Sequence, residues 1–83
     1  MKVLYFAWLR SKIGVAAEEL TLPAEVRDVA GLLEWLKQRS PQHAAALANP
    51  AVVKVAVNQN YAHPSQPVVD SDEVALFPPV TGG

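Results

Sequence analysis

A single amphipathic helical stripe, set among segments that favour β-structure, is the feature that most constrains how this chain folds. Its four apolar residues recur at intervals of three and four positions: Val29, Leu32, Leu33 and Leu36. That spacing places their side chains on one face of an α-helix, and Asp28 just before them is a preferred N-cap residue. We therefore predict one main helix after Asp28, whose apolar face packs against a sheet.

The segments around this helix are rich in branched and aromatic residues and predict strands. We expect strands at Val3–Leu9, Glu18–Leu22, Val52–Val57 and Glu73–Phe77, with a short strand at Tyr61. Ser40-Pro41 is a cap residue followed by a proline, which predicts a second, short helix from Gln42 to Ala48. This order of elements predicts an α+β roll, in which a mixed sheet wraps around one main helix.

The sequence also predicts how two residues of the main helix pack. Gly31 costs up to about 1 kcal/mol relative to alanine inside a helix, so we expect its missing side chain to permit close packing on the sheet. Trp35 lies beside the apolar stripe, and we expect it to cover the edge of the core.

Composition excludes several kinds of site. The chain has 83 residues, enough for one domain, and no cysteine, which rules out disulfides and metals held by thiolates. The two histidines, His43 and His63, stand in no cluster with metal-ligand spacing. We therefore expect both histidines on the surface and no metal site.

Charge and hydropathy limit the partners. Seven Lys and Arg residues against eight Asp and Glu residues give a net charge of −1. No basic cluster is present to bind a phosphate backbone, so we expect no nucleic-acid partner. The apolar run Val3–Leu9 is too short to span a membrane and lacks a signal-peptide cleavage site. We therefore expect a cytoplasmic protein with no membrane segment.

No group of side chains in the sequence forms a catalytic constellation. Glu18 and Glu19 are neighbours on a predicted strand, so they point to opposite faces and cannot act as an acid–base pair. Arg10 and Lys12 follow the first predicted strand, and we interpret them as solvated loop charges, with pairing to acidic groups on a partner as the alternative. We expect no active site within this chain.

The C-terminal segment is the most unusual part of the sequence. Phe77 is followed by Pro78-Pro79-Val80-Thr81-Gly82-Gly83. The prolines stiffen the exit from the last strand, while the glycines lack a Cβ and fit channels too narrow for other residues. We predict a compact domain over residues 1–78 and a flexible tail over residues 79–83. A frayed end is the alternative interpretation of the two glycines alone.

The ending Asp72–Gly83 resembles the terminal motif of the MoaD-type sulfur carriers, the small subunits of molybdopterin synthase, which belong to the ubiquitin-like β-grasp superfamily. Lys2–Ala7 together with Arg10, and Val57–Gln59 in the middle of the chain, match other landmarks of that family. The resemblance spans essentially the whole sequence. It implies a ubiquitin-like β-grasp fold and a function carried by the terminal carboxylate of Gly83.

The family's chemistry, transferred by this resemblance, proceeds at Gly83. An adenylating enzyme of the MoeB type uses ATP and Mg²⁺ to activate the carboxylate, and a sulfurtransferase relay converts it to a thiocarboxylate. The tail residues Pro79, Val80, Thr81 and Gly82 then insert into the MoaE-type large subunit. There the thiocarboxylate gives sulfur to cyclic pyranopterin monophosphate, and two such transfers form the dithiolene of molybdopterin. No cofactor is expected to bind this chain itself.

Three further points accompany the resemblance. Phe77 is the candidate apolar contact with the partner enzymes, with core packing as its alternative role, and Leu76 stands where the family often has another aromatic residue. The absence of cysteine leaves the terminal carboxylate as the only plausible sulfur-carrying group. Carriers for thiamine thiazole or tRNA thiolation, and ubiquitin-like modifiers joined to lysines through Gly83, share the same tail and remain alternatives.

Overall fold

The computed structural model describes residues 1–79, so the predicted tail residues Val80, Thr81, Gly82 and Gly83 lie outside the described residues. The five strands are β1 (Lys2–Tyr5), β2 (Ala17–Glu19), β3 (Lys54–Val57), β4 (Asn60–Tyr61) and β5 (Glu73–Phe77). The three α-helices are α1 (Ala7–Ile13), α2 (Val29–Lys37) and α3 (Pro41–Ala46), and a 3₁₀ turn spans Pro50–Val52.

The strands form one mixed sheet in the order β2-β1-β5-β3-β4. Strand β5 lies at the centre, parallel to β1 and antiparallel to β3. Strands β2 and β4 form the two edges, each antiparallel to its neighbour. This arrangement confirms the predicted α+β architecture.

The main helix, α2, begins and packs as its stripe predicts. The Asp28 carboxylate accepts a hydrogen bond from the Gly31 amide at 2.8 Å, and the stripe residues Val29, Leu32 and Leu36 are buried. A Cβ on Gly31 would lie 3.2 Å from Asp28 Oδ1 and near no atom of the sheet. The expected close packing of Gly31 on the sheet is therefore wrong, whereas Trp35 is half-buried against the core as predicted.

The first predicted strand is too long. The chain leaves the sheet after Tyr5, and helix α1 begins at Ala7, where φ is +54°. The second half of the apolar run is helical because Leu9 and Ile13 share one buried face, a spacing that a short apolar run does not distinguish from a strand. Gly14 ends the helix in the left-handed conformation. Arg10 therefore lies on a helix rather than in a loop.

The other element boundaries shift by a few residues. Strand β2 pairs with β1 over only three residues, and β3 starts at Lys54 because Asn49 caps the 3₁₀ turn before it. Helix α3 has the predicted cap, with Ser40 Oγ accepting from the His43 amide at 3.1 Å. A tight turn joins β3 to β4, with positive φ at both Asn58 and Gln59.

The two faces of the sheet differ in character. The face toward the helices supplies buried core residues from the three inner strands: Val3, Tyr5, Val55, Val57, Val74 and Leu76. The other face, called the open face below, carries Leu4, Ala56, Ala75 and Phe77, all partly buried, and the exposed Tyr61. No helix within residues 1–79 is long and apolar enough to cross a membrane.

Candidate functional site

The C-terminal tail leaves the domain from the central strand. Leu76 is fully buried, whereas Phe77, the last residue of β5, is only partly buried on the open face. The two side chains therefore point to opposite faces, as alternation along a strand predicts. Pro78 and Pro79 follow directly and are partly buried. The start of the tail is thus anchored by a strand that is paired on both sides.

An aromatic pair flanks this exit on the open face. The ring centroids of Tyr61 and Phe77 lie 5.8 Å apart with the rings tilted by 55°, although 79% of Tyr61 is exposed. A shallow hollow of about 390 Å³ adjoins the pair and is lined by Lys54, Val55, Tyr61, Ala62, His63 and Phe77. The sequence predicts a short strand at Tyr61 but no functional role for it, although an aromatic residue directly after the Asn58–Asn60 turn is a visible signal.

Phe6 lies at the other side of the exit. Strands β1 and β5 are parallel, so their C-terminal ends are neighbours, and the Phe6 amide donates to the Leu76 carbonyl at 3.1 Å. Phe6 keeps an extended backbone after the inward-facing Tyr5, so its side chain points away from the core and is 48% exposed. We call Phe6, Tyr61 and Phe77 the exit aromatics.

His43 is not on the surface, contrary to the prediction. It is only 7% exposed, with Nε2 2.6 Å from Glu18 Oε1 and Nδ1 2.7 Å from Ser40 Oγ. Because a carboxylate only accepts hydrogen bonds, Nε2 carries a proton. The prediction failed because His43 and Ala46 lie on the buried face of the short helix α3, with Leu47 buried directly after it, a spacing visible in the sequence. His63 is exposed, as predicted.

Glu18 is the centre of a polar cluster rather than a surface residue. Its carboxylate accepts from the Tyr5 hydroxyl at 3.1 Å and lies 3.3 Å from Arg39 Nη2, in addition to its contact with His43. Burial, reinforced by the negative charge of Glu18, raises the pKa of Tyr5. Glu19 is exposed, so the two acids do point to opposite faces. The cluster joins β1, β2 and α3, and its role is structural.

A second polar contact holds the segment that leads into β5. The Leu22 amide donates to Asp70 Oδ1 at 2.8 Å, and the Met1 ammonium lies 3.4 Å from the same oxygen. The hydrogen bond from Leu22, and to a smaller extent the contact with the ammonium group, hold the pKa of Asp70 below its usual value. In the part of the chain that the structure describes, no three metal-ligating side chains come together.

Comparison with known proteins places this chain in a family. The ThiS family matches residues 3–83, nearly the whole sequence. The chain belongs to the ThiS family. A relative from Escherichia coli strain K12, named molybdopterin synthase sulfur carrier subunit, is 40% identical over 83 residues, covering 100% of this ThiS-family chain and 99% of that protein. A protein of the same name from Haemophilus influenzae is 37% identical over the same share of both chains.

Solved structures agree with this assignment. A putative molybdopterin converting factor, subunit 1, from Pyrococcus furiosus superimposes with a TM-score of 0.78 at 36% identity, covering 95% of each chain. SAMP1 from Haloferax volcanii superimposes with a TM-score of 0.75 at 26% identity, covering 100% of this chain and 98% of that one. The resemblance to MoaD-type carriers and the ubiquitin-like β-grasp fold are therefore confirmed for this ThiS-family protein.

Proposed function

We propose that this chain is a sulfur carrier in molybdenum cofactor biosynthesis, acting as the small subunit of molybdopterin synthase. Relatives that carry this name are 34–40% identical over essentially their full length. The observation that carries the proposal is that the central strand β5, paired on both sides, is followed directly by Pro78 and Pro79, in a sequence whose last two residues are Gly82 and Gly83.

The proposed chemistry takes place at the Gly83 carboxylate. A carboxylate is a poor electrophile, so an oxygen of Gly83 first attacks the α-phosphorus of ATP, and pyrophosphate leaves. The outer sulfur of a sulfurtransferase persulfide then attacks the acyl carbon and displaces AMP, which gives an acyl disulfide. A second thiol of the partner enzymes attacks the enzyme-side sulfur of that disulfide, so that the thiocarboxylate leaves and a disulfide remains on the enzymes. The first step requires an adenylating enzyme that binds ATP and Mg²⁺, so the proposal includes a cytoplasmic location, where ATP is available.

The large subunit of the synthase is the proposed acceptor of the tail that carries the thiocarboxylate. Residues 79–82 would enter its active site, because Gly82 is slender enough for a narrow channel. The exit aromatics Phe6, Tyr61 and Phe77 surround the point of departure and present apolar surface. Covering such surface is favourable by roughly 25 cal/mol per Å². We therefore propose that these three residues contact the large subunit and the adenylating enzyme.

Intact-mass analysis tests this function. After incubation with ATP, Mg²⁺, the adenylating enzyme and a sulfur source, the mass should rise by the difference between a sulfur and an oxygen atom. Fragmentation should place the change on Gly83. A variant that lacks Gly83 is the matched control and should show no change. An unmodified wild-type chain, in a reaction where the E. coli relative is converted, would contradict the proposal.

Two alternatives have specific support. The family name favours a carrier for another sulfur-containing product, and a thiamine requirement in a deletion strain that retains molybdoenzyme activity would establish it. The likeness to a small archaeal modifier protein favours conjugation to lysines through Gly83. Adducts of the chain that survive denaturing electrophoresis of cell lysates, and vanish when Gly83 is deleted, would establish that function.

A further inference from the structure

Lys54 is a charged residue set within the apolar part of the open face. It is exposed, and its cross-strand neighbour on β5 is Phe77, the residue from which the tail departs. On its other side, β4 pairs only with Ala56 and Val57, so no β4 residue stands opposite Lys54. Lys54 also lines the hollow beside the Tyr61–Phe77 aromatic pair. Any protein that covers Phe77 therefore also covers Lys54.

Lys54 differs in its surroundings from Lys2, which lies on the same face. The cross-strand neighbours of Lys2 are the acidic residues Glu19 on β2 and Glu73 on β5, which flank its charge without forming an ion pair of 4.0 Å or less. No carboxylate of residues 1–79 lies within 4.0 Å of Lys54 Nζ. None of the residues that line the hollow, in the part of the chain that the structure describes, carries a carboxylate side chain. Within residues 1–79, the charge of Lys54 is unbalanced.

An unbalanced ammonium group constrains what binds over it. Removing a charge from water without a partner is strongly unfavourable, whereas a charge that gains a hydrogen-bonded counter-ion retains much of its stabilisation. Binding of a wholly apolar partner surface is therefore weakened by the desolvation of Lys54, whereas a surface with a carboxylate at that position avoids this loss of binding free energy. The same carboxylate would be repelled by a negatively charged variant of this site.

We propose that Lys54 selects a partner surface that presents an Asp or Glu carboxylate opposite it, within an otherwise apolar contact around Phe77. This inference rests on the proposed function, because the occupant is the synthase large subunit. The partner chemistry is an apolar surface with one acidic residue facing β3. A second copy of this chain is the competing occupant of the open face.

The test compares Lys54→Met and Lys54→Glu with Lys2→Met. The methionine variants keep the length of the aliphatic side chain and remove only the charge, and Lys2 is the matched control on the same face. Each full-length variant is titrated with the large subunit from the same organism in 50 and 300 mM salt, between which the Debye length falls by a factor of roughly 2.5. Thermal unfolding confirms that each variant is folded, and sedimentation reports self-association.

We expect Lys54→Met to weaken binding by about tenfold at low salt and Lys54→Glu by about a hundredfold, with less than about a twofold effect of Lys2→Met. The wild-type affinity should fall with salt, and that dependence should be weaker for Lys54→Met. Equal or tighter binding by Lys54→Met, with unchanged salt dependence, would overturn the inference and leave the proposed function standing. Self-association that depends on Lys54 would also overturn it. Failure of the wild type to bind would overturn both.

Discussion

Replacing Glu18 with alanine should destabilise the fold severely, whereas the same change at its neighbour Glu19 should have almost no effect. The Glu18 carboxylate contacts the Tyr5 hydroxyl, the His43 ring and the Arg39 guanidinium, at 3.1, 2.6 and 3.3 Å. Tyr5 and His43 are buried, so both would lose a partner that water does not readily replace.

The size of the effect follows from these three contacts. Each buried hydrogen bond, with its stranded partner, is worth on the order of 1–1.5 kcal/mol, and the half-exposed Arg39 contact is worth less than about 1 kcal/mol. We therefore expect Glu18→Ala to lower the free energy of unfolding by about 3 kcal/mol. In a domain of this size the melting temperature should fall by roughly 12 °C or more.

The assay is reversible urea unfolding followed by circular dichroism, with Glu19→Ala as the control. Glu19 is exposed and lies on the opposite face, so its variant should stay within about 0.5 kcal/mol of the wild type. Glu18→Gln should fall between the two, because its amide oxygen still accepts from Tyr5. If Glu18→Ala and Glu19→Ala unfold at the same urea concentration, the cluster contributes nothing and the reasoning is refuted.

Three further predictions concern the tail, its anchor and the acid stability of the fold. Leu76→Ala should lower the free energy of unfolding in urea by about 2–5 kcal/mol because Leu76 is fully buried. Phe77→Ala should lower it clearly less and should mainly weaken binding to the large subunit. The reverse order of stabilities would contradict the assignment of these side chains to opposite faces. Replacing Gly82 with leucine, or deleting Gly83, should stop sulfur transfer in the mass assay and leave the melting temperature within about 2 °C. The fold lowers the pKa of Asp70 from 3.8, so the ionised carboxylate stabilises the fold above that value, and this stabilisation is lost as the pH falls through the folded pKa. Asp70→Asn should therefore lose less stability than the wild type between neutral pH and pH 3. Parallel pH profiles of the two proteins would refute this.

The parts of the fold that sequence patterns predicted are those in which one local signal was unambiguous. Helix α2 has a cap and a stripe with helical spacing, and the predicted strand Glu73–Phe77 has the same bounds as β5 in the structure. In Val3–Leu9 every residue is apolar, so neither helical nor strand periodicity stands out, and the change to helix at Ala7 depends on tertiary packing.

The residues of the candidate site likewise fall into those that local sequence patterns indicated and those that only the folded chain brings together. The sequence pointed to Phe77 and to the proline exit because these residues are adjacent in the chain. Phe6 comes close to Phe77 through the pairing of β1 with β5. Tyr61 does so through the pairing of β4 with β3 and of β3 with β5, and no local pattern specifies these pairings. The contact between His43 and Glu18 likewise spans 25 positions. Long-range pairings of this kind determine both the surface around the tail and the polar cluster.

The central position of β5 also has a mechanical consequence. Under the proposed function, a partner that draws the tail into its active site pulls on Pro78, and that force acts along β5. The strand is held by parallel pairing to β1 on one side and antiparallel pairing to β3 on the other. Pulling along the strand loads these hydrogen bonds in shear, so they share the load instead of breaking one after another. If the chain acts as proposed, we expect the domain to withstand repeated insertion and withdrawal of its tail without unfolding from its C-terminal end.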